Sequence, residues 1–245
     1  MSFRKLASVL PSMITGLALL SCSANPPAST AGAAPIAGRA EGGELTAIYA
    51  QLGAAGGRVF HLDPKSSAIR IYAFRGGRAP KLGHNHILSA PRFTGYFYFP
   101  RGGPDSGRFD LEFRLDQLEI DNPDLRSGLG EAYASQFSPA DVESTRAHML
   151  GEDSLQSDRF PFVWIHSLQI TGESPKFAAK IRVEMHGRTR EMWIPLGVEG
   201  LPDRLFVNGS FVLRQTDFDV QPYSILGGLF AMQDEVVIEF KLVGG

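Results

Sequence analysis

The pair His84 and His86, separated by one residue, has the spacing in this sequence that best suits ligand chemistry. On a β-strand, side chains two positions apart lie on the same face, so both imidazoles can approach one ligand. A Zn²⁺ or Cu²⁺ site would need a third ligand from a distant part of the chain, for which the candidates are His148, His166 and His186. The alternative, which we favour, is that the two rings hydrogen-bond loop backbone or the polar head of a bound molecule. We therefore predict no metal and no cofactor.

Other residue patterns argue against catalysis. The sequence contains no Gly-x-Ser-x-Gly nucleophile motif and no glycine-rich phosphate loop, and its one cysteine, Cys22, lies close to the N-terminus. The acidic residues Glu112, Glu184 and Glu239 alternate with apolar residues, which predicts that they lie on a solvated outer face. We therefore predict that the protein is not an enzyme, with catalysis at a histidine-bound metal as the one enzymatic alternative.

The elements that must position the histidines are β-strands. In the segment from Phe109 to Asp116 every odd position is apolar and every even position is charged, as in a strand with one buried and one solvated face. The alternation recurs at 177–185 and 236–242, and turn-forming residues stand at the predicted strand ends. Strands at close spacing favour an antiparallel sheet over any parallel fold. The predicted fold is therefore all-β, an antiparallel β-barrel of about eight strands.

Two segments interrupt the strands. Ser138 is a helix-capping residue followed by proline, which predicts a short helix from Pro139 to about Leu150. The segment from Pro222 to Met232 is rich in apolar residues, and we predict that it forms a small helical or loop lid over the mouth of the barrel.

The alternation also indicates which side chains point inwards. The chain contains 17 phenylalanines, and many of them fall on the inner face. A barrel of about eight strands has room for packed side chains or for one slender ligand. Alternation leaves both a filled core and an apolar lumen open, and if there is a lumen, the inner face supplies the candidate ligand-binding residues. These are Phe97, Phe109, Phe113, Phe162, Trp164, Ile181, Met185, Phe211, Ile238 and Phe240, together with His84 and His86 at the mouth.

The N-terminal residues have the features of an export signal. Arg4 and Lys5 precede an interrupted apolar run from Leu6 to Leu20 that is too short for a membrane-spanning helix. The run leads into a sequence that resembles a bacterial lipobox ending at Cys22. We therefore predict a lipoprotein-type signal peptide over residues 1–21 and lipidation of Cys22, with an ordinary secretory signal as the alternative.

The remaining chain divides into a tether and a domain. Residues 22–57 begin with a stretch rich in Ser, Ala, Pro and Gly, so we predict a flexible tether with a short helix near its end, and residues 58–245 form the β-barrel domain. The net charge of −2 would become −4 on loss of Arg4 and Lys5, which gives no basic surface for nucleic acid. We expect the protein in the bacterial cell envelope, anchored to a membrane through lipidated Cys22 and facing the periplasm.

Together these segments resemble the YceI-like family of bacterial polyisoprenoid-binding proteins, whose fold is an elongated lipocalin-like barrel. The resemblance covers roughly residues 58–243 and rests on the order and spacing of several motifs. These are His61-Leu62-Asp63, Lys81-Leu82-Gly83-His84-Asn85-His86, Phe93-Thr94-Gly95-Tyr96-Phe97, Asp158-Arg159-Phe160-Pro161, Met185-His186-Gly187-Arg188-Thr189-Arg190 and Arg214-Gln215-Thr216-Asp217-Phe218. Asp219 follows the last motif where typical members have glycine.

The resemblance implies that the lumen binds a long apolar lipid, a polyisoprenoid or an isoprenoid quinone, for storage or transport in the cell envelope. Each buried methylene contributes about 0.8 kcal/mol, so a chain of several isoprene units can bind without a charged partner. Two alternatives remain: a metal-binding barrel that uses His84 and His86, and an adaptor lipoprotein with a filled core. Edge aromatics such as Tyr96 and Tyr98 also leave a homodimer open.

Overall fold

The structure, a computed structural model, describes residues 42–103 and 107–245. The predicted signal peptide, Cys22 and the first part of the tether lie outside the described residues. The strands are β1 (Arg58–His61), β2 (Ala68–Gly76), β3 (His86–Ser89), β4 (Thr94–Phe99), β5 (Arg108–Arg114), β6 (Glu119–Ile120), β7 (Phe162–Glu173), β8 (Lys176–Met185), β9 (Arg188–Glu199), β10 (Leu205–Arg214), β11 (Ser224–Ile225) and β12 (Phe230–Gly244). The helices are α1 (Gly43–Ala55), α2 (Pro123–Ser127) and α3 (Pro139–Leu150), with 3₁₀ turns at Pro80–Leu82, Leu115–Gln117, Glu131–Tyr133 and Gln215–Phe218.

The strands form one curved antiparallel sheet. Their order is β1-β4-β5-β7-β8-β9-β10-β12-β2-β3-β6, and β11 pairs with β12. The end of β1 also meets the end of the chain, since His61 and Gly245 exchange two backbone hydrogen bonds of 3.1 and 3.2 Å. The sheet therefore curls into a half-barrel whose inner face surrounds an apolar interior.

The sheet has twelve strands, so the predicted number of about eight is too low. Three of the strands that the sequence did not reveal are short: β3 has four residues, and β6 and β11 have two each. Over so few residues an alternating pattern cannot be told from chance. The segment predicted to be a helical or loop lid contains β11 and the start of β12, which form a hairpin in which Ile225 pairs with Phe230.

Helix α1 packs on the outer face of the sheet, so the folded part of the chain begins before the predicted boundary at residue 58. Tyr49 of α1 is buried, and its ring stacks on that of Tyr96 with centroids 4.9 Å apart. Its hydroxyl donates a 2.6 Å hydrogen bond to Asp110 on β5. The carboxylate of Asp110 also accepts hydrogen bonds from Arg108, at 2.7 Å, and from His166, at 2.5 Å.

These contacts set the ionisation of the buried groups beneath α1. Burial raises the pKa of Asp110, but the hydrogen bonds from His166, Arg108 and Tyr49 outweigh it and hold that pKa below its usual range. Burial beside the Asp110 carboxylate raises the pKa of Tyr49 well above its ordinary value. The cluster is therefore an anchor for α1 in which Asp110 stays ionised and Tyr49 stays neutral.

Glu112 lies on the outer face, as predicted, but it is buried rather than solvated. Its carboxylate accepts a 2.7 Å hydrogen bond from the backbone N–H of Gly42 and a 2.8 Å hydrogen bond from the indole of Trp164. Alternation correctly identifies the face opposite the lumen, but it cannot show that Gly42, at the start of α1, covers part of that face.

Candidate functional site

The interior of the half-barrel contains a cavity of about 640 Å³. Inward side chains of neighbouring strands lie side by side in its wall; for example, Ile238 on β12 pairs with Phe211 on one side and with Ile71 on the other. Small-molecule sites in proteins have volumes of roughly 300–1,000 Å³. The inward side chains therefore leave room for a ligand and do not fill the interior.

Most of the predicted inner-face residues line this cavity. Those that do are Phe97, Phe109, Phe113, Ile181, Met185, Phe211, Ile238 and Phe240. Phe211, Ile238 and Phe240 are only partly buried although they point inwards, and we attribute the remaining exposed surface to the cavity. These residues form a continuous apolar wall along the middle of the strands.

The inward assignment of Phe162 and Trp164 is wrong. Trp164 pairs with Glu112 in the register of β5 and β7, and so shares the outer face, whereas Val163 and Ile165 line the cavity. Phe162 stacks on Trp164 with ring centroids 5.4 Å apart. The first four residues of β7 are all apolar, because both faces of the strand are covered here. Alternation therefore cannot show which two of the four side chains point inwards.

Polar side chains enter the cavity wall at one end of the strands. They are His84, His86, Gln136, Asp141, Ser144, Thr145, His148, Ser154 and Gln215. His84 and Tyr223 line the cavity and are also exposed, so the cavity opens to solvent at this end. The opposite end is closed: Leu62 and Leu205 line it and are buried, and a Cβ at Gly244 would lie only 3.0 Å from the side chain of Phe60.

Helix α3 supplies part of the polar end. Its N-terminus is closed by a capping box in which Asp141 accepts from the Ser138 backbone N–H at 2.9 Å and Ser138 accepts from the Asp141 backbone N–H at 3.2 Å. Arg146 donates a 2.8 Å hydrogen bond to the carbonyl of Leu118 and so holds the helix beside β6. The sequence predicted this helix but not which of its faces is turned towards the cavity. Thr145 and His148 lie on that face. No residue of the helix is fully buried and no apolar stripe runs along one side, so the sequence carries no signal for it.

His86 is held in place by a buried carboxylate. Its Nδ1 lies 2.6 Å from Asp121, whose other oxygen accepts from Arg126 at 2.5 Å. Burial raises the pKa of Asp121, but the hydrogen bond and charge of His86, the backbone N–H of Ile87 and Arg126 outweigh it and hold that pKa below its usual range. The ring of Phe137 stacks on His86 at 5.5 Å. Since Nδ1 is committed to Asp121, a ligand in the cavity would meet Nε2.

His84 lies beside His86 but has different partners. Its Nδ1 is 2.9 Å from the hydroxyl of Ser135, and its ring meets Phe137 edge-on at 5.4 Å. Of the candidate third ligands, His148 lines the same cavity, whereas His166 binds Asp110 on the outer face. His186 lies away from the cavity, where its Nδ1 donates to the carbonyl of Phe218. Within residues 42–103 and 107–245, no group of three or more His, Cys, Asp or Glu side chains is arranged to hold a metal ion.

In the described part of the chain, no helix is long and apolar enough to span a bilayer.

Comparison with known proteins identifies the fold. The YceI-like domain family matches residues 60–244. The crystal structure of BcnA from Burkholderia cenocepacia has a TM-score of 0.55 and 14% sequence identity, and the alignment covers 75% of this chain and 99% of that one. A polyisoprenoid binding domain from Saccharophagus degradans, implicated in plant cell wall breakdown, has a TM-score of 0.51 and 11% identity, covering 76% of this chain and 97% of that one. No curated protein matches the sequence.

Proposed function

Because the chain belongs to the family of YceI-like domain proteins, we propose that it binds a long apolar lipid, a polyisoprenoid or an isoprenoid quinone, inside the half-barrel. The observation that carries the proposal is the cavity of about 640 Å³, apolar along its length and polar at its open end. The description of the Saccharophagus degradans domain as polyisoprenoid-binding supports the same ligand class. The space left inside the sheet favours a ligand over the filled core of an adaptor protein.

The two ends of the cavity suit the two ends of such a lipid. Its apolar chain would extend towards the closed end at Leu205 and displace water from apolar walls, at about 0.8 kcal/mol per buried methylene. Its polar head would lie near His86, whose ring Asp121 orients. With Nδ1 protonated, the free Nε2 accepts a hydrogen bond from a hydroxyl; in the imidazolium form it donates one to a carbonyl or phosphate.

The cellular role proposed here is storage or transport of this lipid in the bacterial envelope. It is supported by the sequence before the described residues, in which Cys22 follows an apolar run that resembles a lipobox. An acyl anchor at Cys22 would keep the carrier on the membrane in which its ligand dissolves. No feature of the site favours a catalytic reaction, and we propose a binding protein rather than an enzyme.

Lipid analysis of the purified full chain tests this proposal. We expect native mass spectrometry to show one bound isoprenoid or quinone per chain, and solvent extraction to release it for identification. Phe113→Arg should abolish loading, because it places a charge in the apolar wall, whereas Val212→Arg should retain it, because Val212 is 55% exposed on the outer wall. A chain without any lipid, or equal loading of the two folded variants, would overturn the proposal.

A further inference from the structure

The β11–β12 hairpin presents apolar side chains to solvent beside the cavity opening. Leu226, in its turn, is 68% exposed, and Ile225 is 42% exposed. The backbone at Leu226 has φ +51° and at Gly227 φ +62°, a left-handed turn that usually carries Asn, Asp or Gly. Both the backbone conformation and the exposure therefore disfavour leucine at position 226, which suggests that its apolar side chain has a role outside the fold.

A second exposed leucine lies on the segment bonded to this hairpin. The backbone N–H of Arg78 donates to the carbonyl of Gly228 at 2.9 Å, and that of Ala79 donates to Leu229 at 3.0 Å. Leu82, which ends the 3₁₀ turn that follows, is 68% exposed. We call Leu82, Tyr223, Ile225 and Leu226 the rim patch. Because Tyr223 also lines the cavity, the patch is continuous with the ligand site.

The charged side chains on the two segments that carry the rim patch are all cationic. Arg78 and Lys81 are exposed on the segment that carries Leu82. The sequence has no acidic residue from 75 to 86 or from 220 to 233, although the whole chain carries a net charge of −2. Apolar side chains flanked by cations are the composition that binds the interface of an anionic bilayer.

From this geometry we propose that the rim patch docks on an anionic membrane surface and places the cavity opening against the bilayer. Leu226 and Ile225 enter the headgroup boundary, and Arg78 and Lys81 face lipid phosphates. The docking itself follows from the patch, whereas its purpose, passage of lipid between bilayer and cavity, rests on the proposed function.

A dye at the hairpin tip can report this docking. Every variant is made in the full chain with Cys22→Ser, so that the single introduced cysteine is the only site that an environment-sensitive fluorophore can label. One arm carries Leu226→Cys, and the matched control carries Val212→Cys, which is similarly exposed but lies on the outer wall. Each is mixed with vesicles of phosphatidylcholine alone and with vesicles that also contain phosphatidylglycerol. Because the N-terminal segment is the same in every arm, it cannot produce a difference between the two dye positions.

We expect a blue shift of the dye at position 226, larger with anionic vesicles, and none at position 212. Lys81→Gln should weaken the response by roughly fivefold, the effect of one cation near an anionic surface, whereas Lys65→Gln, near the closed end, should leave it unchanged. No shift at position 226, or equal shifts at both positions, would overturn the proposal and leave a protein partner as the alternative. Lipid bound to the purified chain is measured separately, so failure of docking and failure of the proposed function are distinguishable.

Discussion

Replacing Ile238 with tryptophan should fill part of the cavity and remove the ligand without destabilising the fold. Ile238 lies at the centre of β12, lines the cavity and is only partly buried. A tryptophan there would take on the order of 50 Å² more apolar surface out of contact with water, which is worth about 1 kcal/mol. In a fully packed core the same change would cost about 1–3 kcal/mol through overpacking. The sign of the change in unfolding free energy therefore distinguishes an open cavity from a packed core.

The assay is urea unfolding of Ile238→Trp and unmodified protein, both freed of lipid by extraction and refolding. Val212→Trp is the control, because Val212 adjoins the cavity residue Phe211 but is itself exposed on the outer wall. We expect Ile238→Trp to match or exceed the unmodified protein in stability, and to carry less lipid by native mass spectrometry. The reasoning would be refuted by a loss of 1 kcal/mol or more with unchanged lipid content.

Two further predictions concern the buried carboxylate of Asp121 and the proposed lipid anchor at Cys22. Asp121→Ala should cost about 3 kcal/mol in urea unfolding at pH 7, because it leaves Arg126 buried without its carboxylate. Since the pKa of Asp121 is lowered in the folded state, its stabilisation is present above the ordinary carboxyl pKa and is lost as the pH falls below about 4; the variant should lose less stability over that range. Cys22→Ala should release the protein from membranes into the soluble fraction of the envelope, and continued membrane retention would contradict lipidation.

The sequence predicted the fold class and most of the cavity wall because strands such as β5 and β8 alternate apolar and polar residues. On β5, Phe109 and Phe113 alternate with charged residues, and both line the cavity. The facing of β7 could not be predicted, because Phe162 and Trp164 are apolar for a different reason, namely contact with each other and with Glu112 on the outer face. Period-two patterning identifies the lumen only where the residues on the opposite face are polar, as on β5, and it fails where they are apolar, as at the start of β7.

The contacts of α1 and α3 were also beyond prediction, because both depend on residues distant in sequence. Glu112 binds the backbone of Gly42, and Arg146 binds the carbonyl of Leu118. The backbone at Asp219, in contrast, has a local explanation: its φ is +57°, a conformation that glycine adopts readily and that aspartate tolerates. The Asp219 carboxylate also pairs with Arg188, which holds this residue in place.

The closed and open ends of the cavity impose one route on any lipid. At the closed end, Leu205 and Phe60 are fully buried, so exchange there would require opening of the sheet. At the other end, Tyr223 and His84 are exposed. Long-chain isoprenoids dissolve poorly in water, so the proposed exchange of such a lipid with a bilayer would require this opening to reach the bilayer. The exposed side chain of Leu226 is the part of the opening that would contact the bilayer first.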